Sequence, residues 1–195
     1  MAVRRLTLIA FFTALIAILA QLAVPLPFSP VPVTGQLLGV FLAGTLLGGR
    51  DGCLAILAYL LLGAAGAPVF SLGRGGLMML FGPTGGYLWG FLPGVYLSGR
   101  LQEGNQRPGA PGLLTTAGAT LFFLGCIYLC GAIQLSLVTG YSASEAILAG
   151  VLPFIPLDAA KAFIAAVLGA RVKKIMHAGG LLQSCAVNSP EAVRD

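Results

Sequence analysis

The residues best able to do chemistry in this chain are a few ionisable ones that stand where nothing else about the sequence asks for a charge. Asp158 and Lys161 lie three apart in Pro156-Leu157-Asp158-Ala159-Ala160-Lys161. On a helix that spacing puts a carboxylate and an ammonium on one face, within reach of each other. Side by side they offer a ligand an acceptor and a donor; the plainer alternative is an ion pair that pins two helices together. Arg74 sits in Ser71-Leu72-Gly73-Arg74-Gly75-Gly76, where glycines let the backbone turn tightly around a ligand or another helix. An ordinary exposed loop arginine would look the same. If all three converge, Asp158 and Lys161 cancel and one positive charge remains for a small anionic ligand to balance.

The elements that must hold these groups follow from composition. Of 195 residues, 57% are hydrophobic and 9% charged, with a mean hydropathy of +0.95, and a water-soluble fold of this length has too little interior to hide that much apolar surface. A membrane-spanning helix needs about 20 residues, so the expected fold is all-α, a polytopic integral membrane protein with six transmembrane helices in one domain over 1–172, followed by a cytoplasmic C-terminal tail over 173–195. The apolar runs are Leu6 to Val24, Gly35 to Leu47, Cys53 to Ala67, Thr84 to about Leu101, Leu113 to Val138, and a last span opened by Pro153 and Pro156 that reaches about Val172. The first is expected to be a retained helix rather than a cleaved signal. The second and third fall short of a full span. Pro25 to Val33 is a proline-rich stretch, Gln102 to Gly112 reads as a solvated loop, and Ser142 with Glu145 three residues on reads as a capping box.

Nine of the eleven Lys and Arg fall on one side of this map: Arg4, Arg5, Arg50, Arg100, Arg107, Arg171, Lys173, Lys174 and Arg194. Retained cytoplasmic loops carry such an excess, which predicts that both termini are cytoplasmic. Arg74, Glu145, Asp158 and Lys161 are left in the outer half, where an ionisable group is costly unless it is paired or serves a site. Small residues form stripes suited to close helix packing: Gly82, Gly86, Gly90, Gly94 and Ser98; Gly35 with Gly39; Gly44 with Gly48; Ala10 with Ala14. Each stripe serves either internal packing or the docking of a partner protein.

Other chemistries lack their residues. None of the three lysines follows a glycine, so there is no phosphate-cradling loop of the Walker type. His177 has no metal-ligand partners at sensible spacing, and Cys53, Cys126, Cys130 and Cys185 read as small apolar residues. The net charge of +5 is scattered in small groups between apolar runs, unlike a nucleic-acid footprint. No enzyme, cofactor, metal or nucleic-acid role is expected, and the surroundings are membrane lipid.

Five segments in order then carry a resemblance: Pro25-Leu26-Pro27-Phe28-Ser29-Pro30-Val31-Pro32-Val33-Thr34-Gly35-Gln36, Leu46-Leu47-Gly48, Gly66-Ala67-Pro68-Val69-Phe70, Gly82-Pro83-Thr84-Gly85-Gly86-Tyr87 and Pro153-Phe154-Ile155-Pro156-Leu157-Asp158-Ala159-Ala160-Lys161. Together, from about Ala10 to Arg171, they closely resemble the BioY family, the biotin-specific substrate-binding subunits of energy-coupling factor transporters. The resemblance implies a multi-pass protein of the cell membrane that takes biotin from outside and relies on a transmembrane coupling subunit and a cytoplasmic ATPase pair. It assigns Asp158 and Lys161 to biotin and the stripe of Ala10 and Ala14 to docking on the coupling subunit. The ureido ring, with two N–H donors and a carbonyl, matches the pair, and the valerate carboxylate matches Arg74; the reverse orientation, with Lys161 on the carboxylate, stays open. Gln36, Tyr87 and Trp89 are further biotin-binding candidates, the first through its amide and the others through their rings. The alternatives are a subunit for another small anionic vitamin, or a ligand-free membrane scaffold.

Overall fold

The computed structural model describes residues 2–103 and 113–178. Among them the order is α1 (Ala2–Gln21), a hairpin of β1 (Ala23–Leu26) and β2 (Ser29–Thr34), α2 (Gln36–Ala64), a 3₁₀ turn (Ser71–Gly73), α3 (Met78–Phe81), α4 (Gly85–Glu103), α5 (Leu113–Thr139), α6 (Ala143–Gly150) and α7 (Ile155–Ala178). By length and composition three helices can cross a membrane, Val3–Gln21, Gln36–Ala64 and Gly118–Thr139. A fourth joins them if Ala143–Gly150 and Ile155–Gly169, bent by 50°, form one span. Their outer faces stay apolar, with Phe11, Ile18, Leu121, Leu129, Leu137 and Phe163 all exposed, as expected where lipid is the solvent.

Helix α2 is not straight. Gly48 has φ 82° and ψ −176°, a conformation essentially reserved for glycine, and the chain folds back there. A Cβ on Gly52 would lie 3.2 Å from the Ala43 carbonyl oxygen, whereas residues nine apart on a straight helix are separated by about 13 Å. Two antiparallel arms result, 36–47 and 49–64, matching the two short apolar runs.

The glycine stripes divide by destination. A Cβ on Gly86 would meet the Cys130 carbonyl, one on Gly90 the Ile127 Cα at 2.8 Å, and one on Gly94 the Phe123 ring at 2.7 Å, so the stripe of α4 is spent against α5. Gly39 faces Ile16 and Leu19 of α1, and Gly44 faces Val95 of α4. Ala10 and Ala14 stay exposed on the outside of α1.

The proline-rich stretch after α1, for which the sequence suggests no strand, forms the β1–β2 hairpin, with Ala23 opposite Thr34, Val24 opposite Val33 and Leu26 opposite Ser29; its register shifts between Val24 and Leu26, at Pro25. Proline has no N–H for a ladder, so an irregularity at an edge is where it is tolerated. The Ser142–Glu145 capping box is present at the start of α6. Helix α7 continues to Ala178; the rest of the tail, with Cys185 and Arg194, lies outside the described residues, as does Arg107.

Charge and cavity occupy opposite poles. At one pole Arg5 Nε donates to both Asp51 oxygens at 2.9 Å, tying α1 to the turn at Gly48, and Gly49 packs against Tyr96 and Arg100 of α4. At the other, the hairpin, the 66–84 segment and the start of α7 surround a cavity.

Candidate functional site

The cavity has an empty volume of ≈ 660 Å³, open solvent at its mouth included. Its walls are mostly apolar: Val31 and Pro32 from β2, Leu37 from α2, Phe70 from the loop after α2, Leu88 and Phe91 from α4, Ile127 from α5 and Phe154 ahead of α7. Asp158 and Lys161 are its only charged lining residues among those described.

Both come from the start of α7. Pro156 suits a first helical turn, where a missing N–H costs nothing, and a carboxylate in that turn is favoured by the helix dipole. The Asp158 N–H donates to the Phe154 carbonyl at 2.8 Å. Its side chain, in a residue only 6% exposed, accepts from Lys161 Nζ at Oδ1 (2.8 Å) and from the Tyr128 hydroxyl at Oδ2 (2.9 Å). Buried charges are tolerated when such bonds offset their desolvation. Lys161 keeps two N–H donors beyond the one Asp158 takes.

Gln36, 5% exposed, stands on the α2 wall. Its Nε2 is buried and lacks a hydrogen bond of full geometry; the neighbouring Tyr59 hydroxyl donates to the Val69 carbonyl at 3.1 Å and keeps lone pairs toward which the amide can donate. A buried donor without a full hydrogen bond costs about 1–3 kcal/mol, and this one stands on the cavity wall.

The remaining sequence candidates fall differently. Tyr87 lines the cavity with its ring and donates its hydroxyl to the Gly150 carbonyl at 2.8 Å, which ties α4 to α6. Trp89 does not line the cavity: one residue face removed from Leu88 on α4, it donates Nε1 to the Leu80 carbonyl at 3.1 Å. Arg74 is exposed and does not line it either. Leu72 (φ 62°) and Gly73 (φ 68°) are both left-handed, and they turn the loop back so that the Phe70 N–H donates to the Arg74 carbonyl at 2.9 Å. Phe70 and Ser71 of that loop reach the cavity. The three charges therefore do not converge there, and the expected surplus positive charge is replaced by a neutral pair.

Sequence reasoning missed two contributors. Tyr128 is one tyrosine in an apolar helix, and its only signal was that a buried phenol needs a partner. Gln21 ends α1 and staples the loop: Nε2 donates to the Pro68 and Phe70 carbonyls at 3.3 and 3.2 Å, and Oε1 accepts from Gly73 N at 2.9 Å.

Comparison with known proteins agrees with this architecture. The BioY family model matches residues 1–178. "Biotin transporter BioY" of Rhizobium etli is 42% identical over 180 residues, covering 88% of this chain and 94% of that protein, and the protein of the same name from Thermotoga maritima is 40% identical over 172 residues, covering 88% and 97%. A crystal structure of the S-component for biotin from an ECF-type ABC transporter superposes with a TM-score of 0.82 at 33% identity, covering 89% of this chain and 92% of that one. With a matched fold, matched length and a family of transporter components rather than enzymes, the chain belongs to the BioY family.

Proposed function

We propose that this chain is the membrane-embedded, high-affinity biotin-binding subunit of an energy-coupling factor transporter, and that the cavity between the hairpin, α2, α4, α5 and α7 is its biotin site. The observation that carries the reading is the Tyr128–Asp158–Lys161 cluster, Asp158 buried and its two partners half-buried, on a mostly apolar, open cavity. The ureido ring of biotin supplies two N–H donors for the remaining lone pairs of Asp158 and a carbonyl for the free donors of Lys161 or for Gln36 Nε2. The Tyr87 ring packs on the bicycle. Arg74 attracts the valerate carboxylate at the mouth, and Trp89 supports the binding wall from behind.

In this reading the membrane is the cell membrane and the spans are six: α1, the two arms of α2, α4, α5 and α7. An even number puts both termini on one side, and Arg4, Arg5, Arg50, Arg100 and Arg171 make that side cytoplasmic. The cavity then opens outward. Ala10 and Ala14 dock on a transmembrane coupling subunit that works with a cytoplasmic ATPase pair, and 173–195 forms a cytoplasmic tail. The test is uptake of labelled biotin at nanomolar external concentration by cells carrying this chain with those partners. Uptake that ceases when the ATPases are inactivated supports the proposal; uptake no greater than in cells without this chain contradicts it.

A further inference from the structure

The charge inventory of the cavity bears on which part of a ligand it reads. One anion and one cation line it among the described residues, and they are bonded to each other at 2.8 Å. The anion is further held by Tyr128 at 2.9 Å. Releasing Lys161 to a second carboxylate would leave Asp158 buried with one fewer partner, and a buried charge that loses a partner is strongly disfavoured. Placing a ligand carboxylate inside without releasing Lys161 would put a net negative charge among Leu37, Leu88, Phe91 and Ile127, which is costly for the same reason. The unspent polar capacity of the interior is of another kind. It includes the two free N–H donors of Lys161, the Nε2 of Gln36, the unused lone pairs of Asp158 and the hydroxyls of the lining residues Thr34, Ser71 and Thr84, all of them neutral or already paired, which together suit a neutral group that both donates and accepts.

Resting on the biotin reading above, we infer that the cavity selects the neutral ureido head and leaves the carboxylate at the solvent-facing mouth, so that biotin amides and esters are also ligands of this subunit. Arg74, in the loop whose Phe70 and Ser71 reach the cavity, is exposed, and an exposed ion pair is worth little. Removing the negative charge of the ligand therefore changes affinity by no more than about fivefold. The substrate class widens accordingly from free biotin to carboxyl-linked conjugates small enough for the mouth.

Competition against labelled biotin on the purified full-length chain tests this, with unlabelled biotin, biotin N-methylamide, biotin methyl ester and lipoate as competitors. Lipoate keeps the valerate carboxylate but has no ureido group. The inference requires the amide and ester to compete within about fivefold of biotin and lipoate to compete at least about a hundredfold more weakly. Biotin binding with the amide and ester weakened a hundredfold or more overturns the inference while leaving the biotin reading intact. So does competition by lipoate comparable to that of biotin. Absence of saturable biotin binding by the folded chain overturns the biotin reading itself, and the inference with it.

Discussion

Within the cavity, recognition depends on a short relay of hydrogen bonds in which the Tyr128 hydroxyl and the Lys161 ammonium hold one oxygen each of the Asp158 carboxylate. Tyr128→Phe removes one of them and leaves a buried carboxylate oxygen without its donor. Hydrogen bonds to charged groups contribute about 1.5–3 kcal/mol, so biotin affinity is expected to fall about tenfold or more in a calorimetric titration; an unchanged affinity would remove Tyr128 from the site. Gln36 gives a sharper diagnostic because its buried Nε2 lacks a protein hydrogen bond of full geometry. Gln36→Leu relieves that cost, so the thermal midpoint of the ligand-free protein in detergent should rise while biotin affinity falls. An unchanged or raised biotin affinity would mean that the amide does not meet the ligand.

At the level of elements, close packing sets the cavity walls. A Cβ on Gly63 would overlap the Phe70 ring, and Phe70, 1% exposed, is itself a wall residue. Gly63→Ala is therefore expected to displace that ring and weaken biotin binding, with only a modest loss of stability, whereas Gly90→Leu, placed against the backbone of Ile127, should lower the thermal midpoint markedly by forcing α4 and α5 apart. Thermal unfolding of the two variants beside their biotin affinities separates the effects. Much of this framework was legible in the sequence. The two runs too short to span are the arms either side of Gly48, the Ser142–Glu145 pattern marked the start of α6, and the three-residue spacing of Asp158 and Lys161 placed them together. The hairpin was not legible, because Pro25, Pro30 and Pro32 mask strand propensity and only pairing across the turn satisfies the backbone. The positions of Arg74 and Trp89 were not legible either: a left-handed turn and a half-turn of helix rotation decide them, and neither leaves a periodic trace.

For the molecule as a whole, the separation of poles is the organising feature, with the arginine-rich pole carrying the Arg5–Asp51 bond and the opposite pole carrying the cavity. The small-residue stripes divide between inside and outside in the same way: that of α4 is consumed by α5, while Ala10 and Ala14 remain exposed on α1. Replacing both alanines with tryptophan should leave equilibrium biotin binding by the isolated chain within about twofold and abolish uptake by the assembled transporter. Normal uptake by that variant would move the coupling surface elsewhere. The central claim, that the α7 pair forms the biotin site, is tested most directly by equilibrium binding of labelled biotin to the purified chain beside Asp158→Asn and Lys161→Ala. The account predicts saturable, tight binding by the parent, weakened at least about tenfold, or about 1.4 kcal/mol, by each substitution; saturable binding that neither substitution alters, or none by the folded parent, would contradict it.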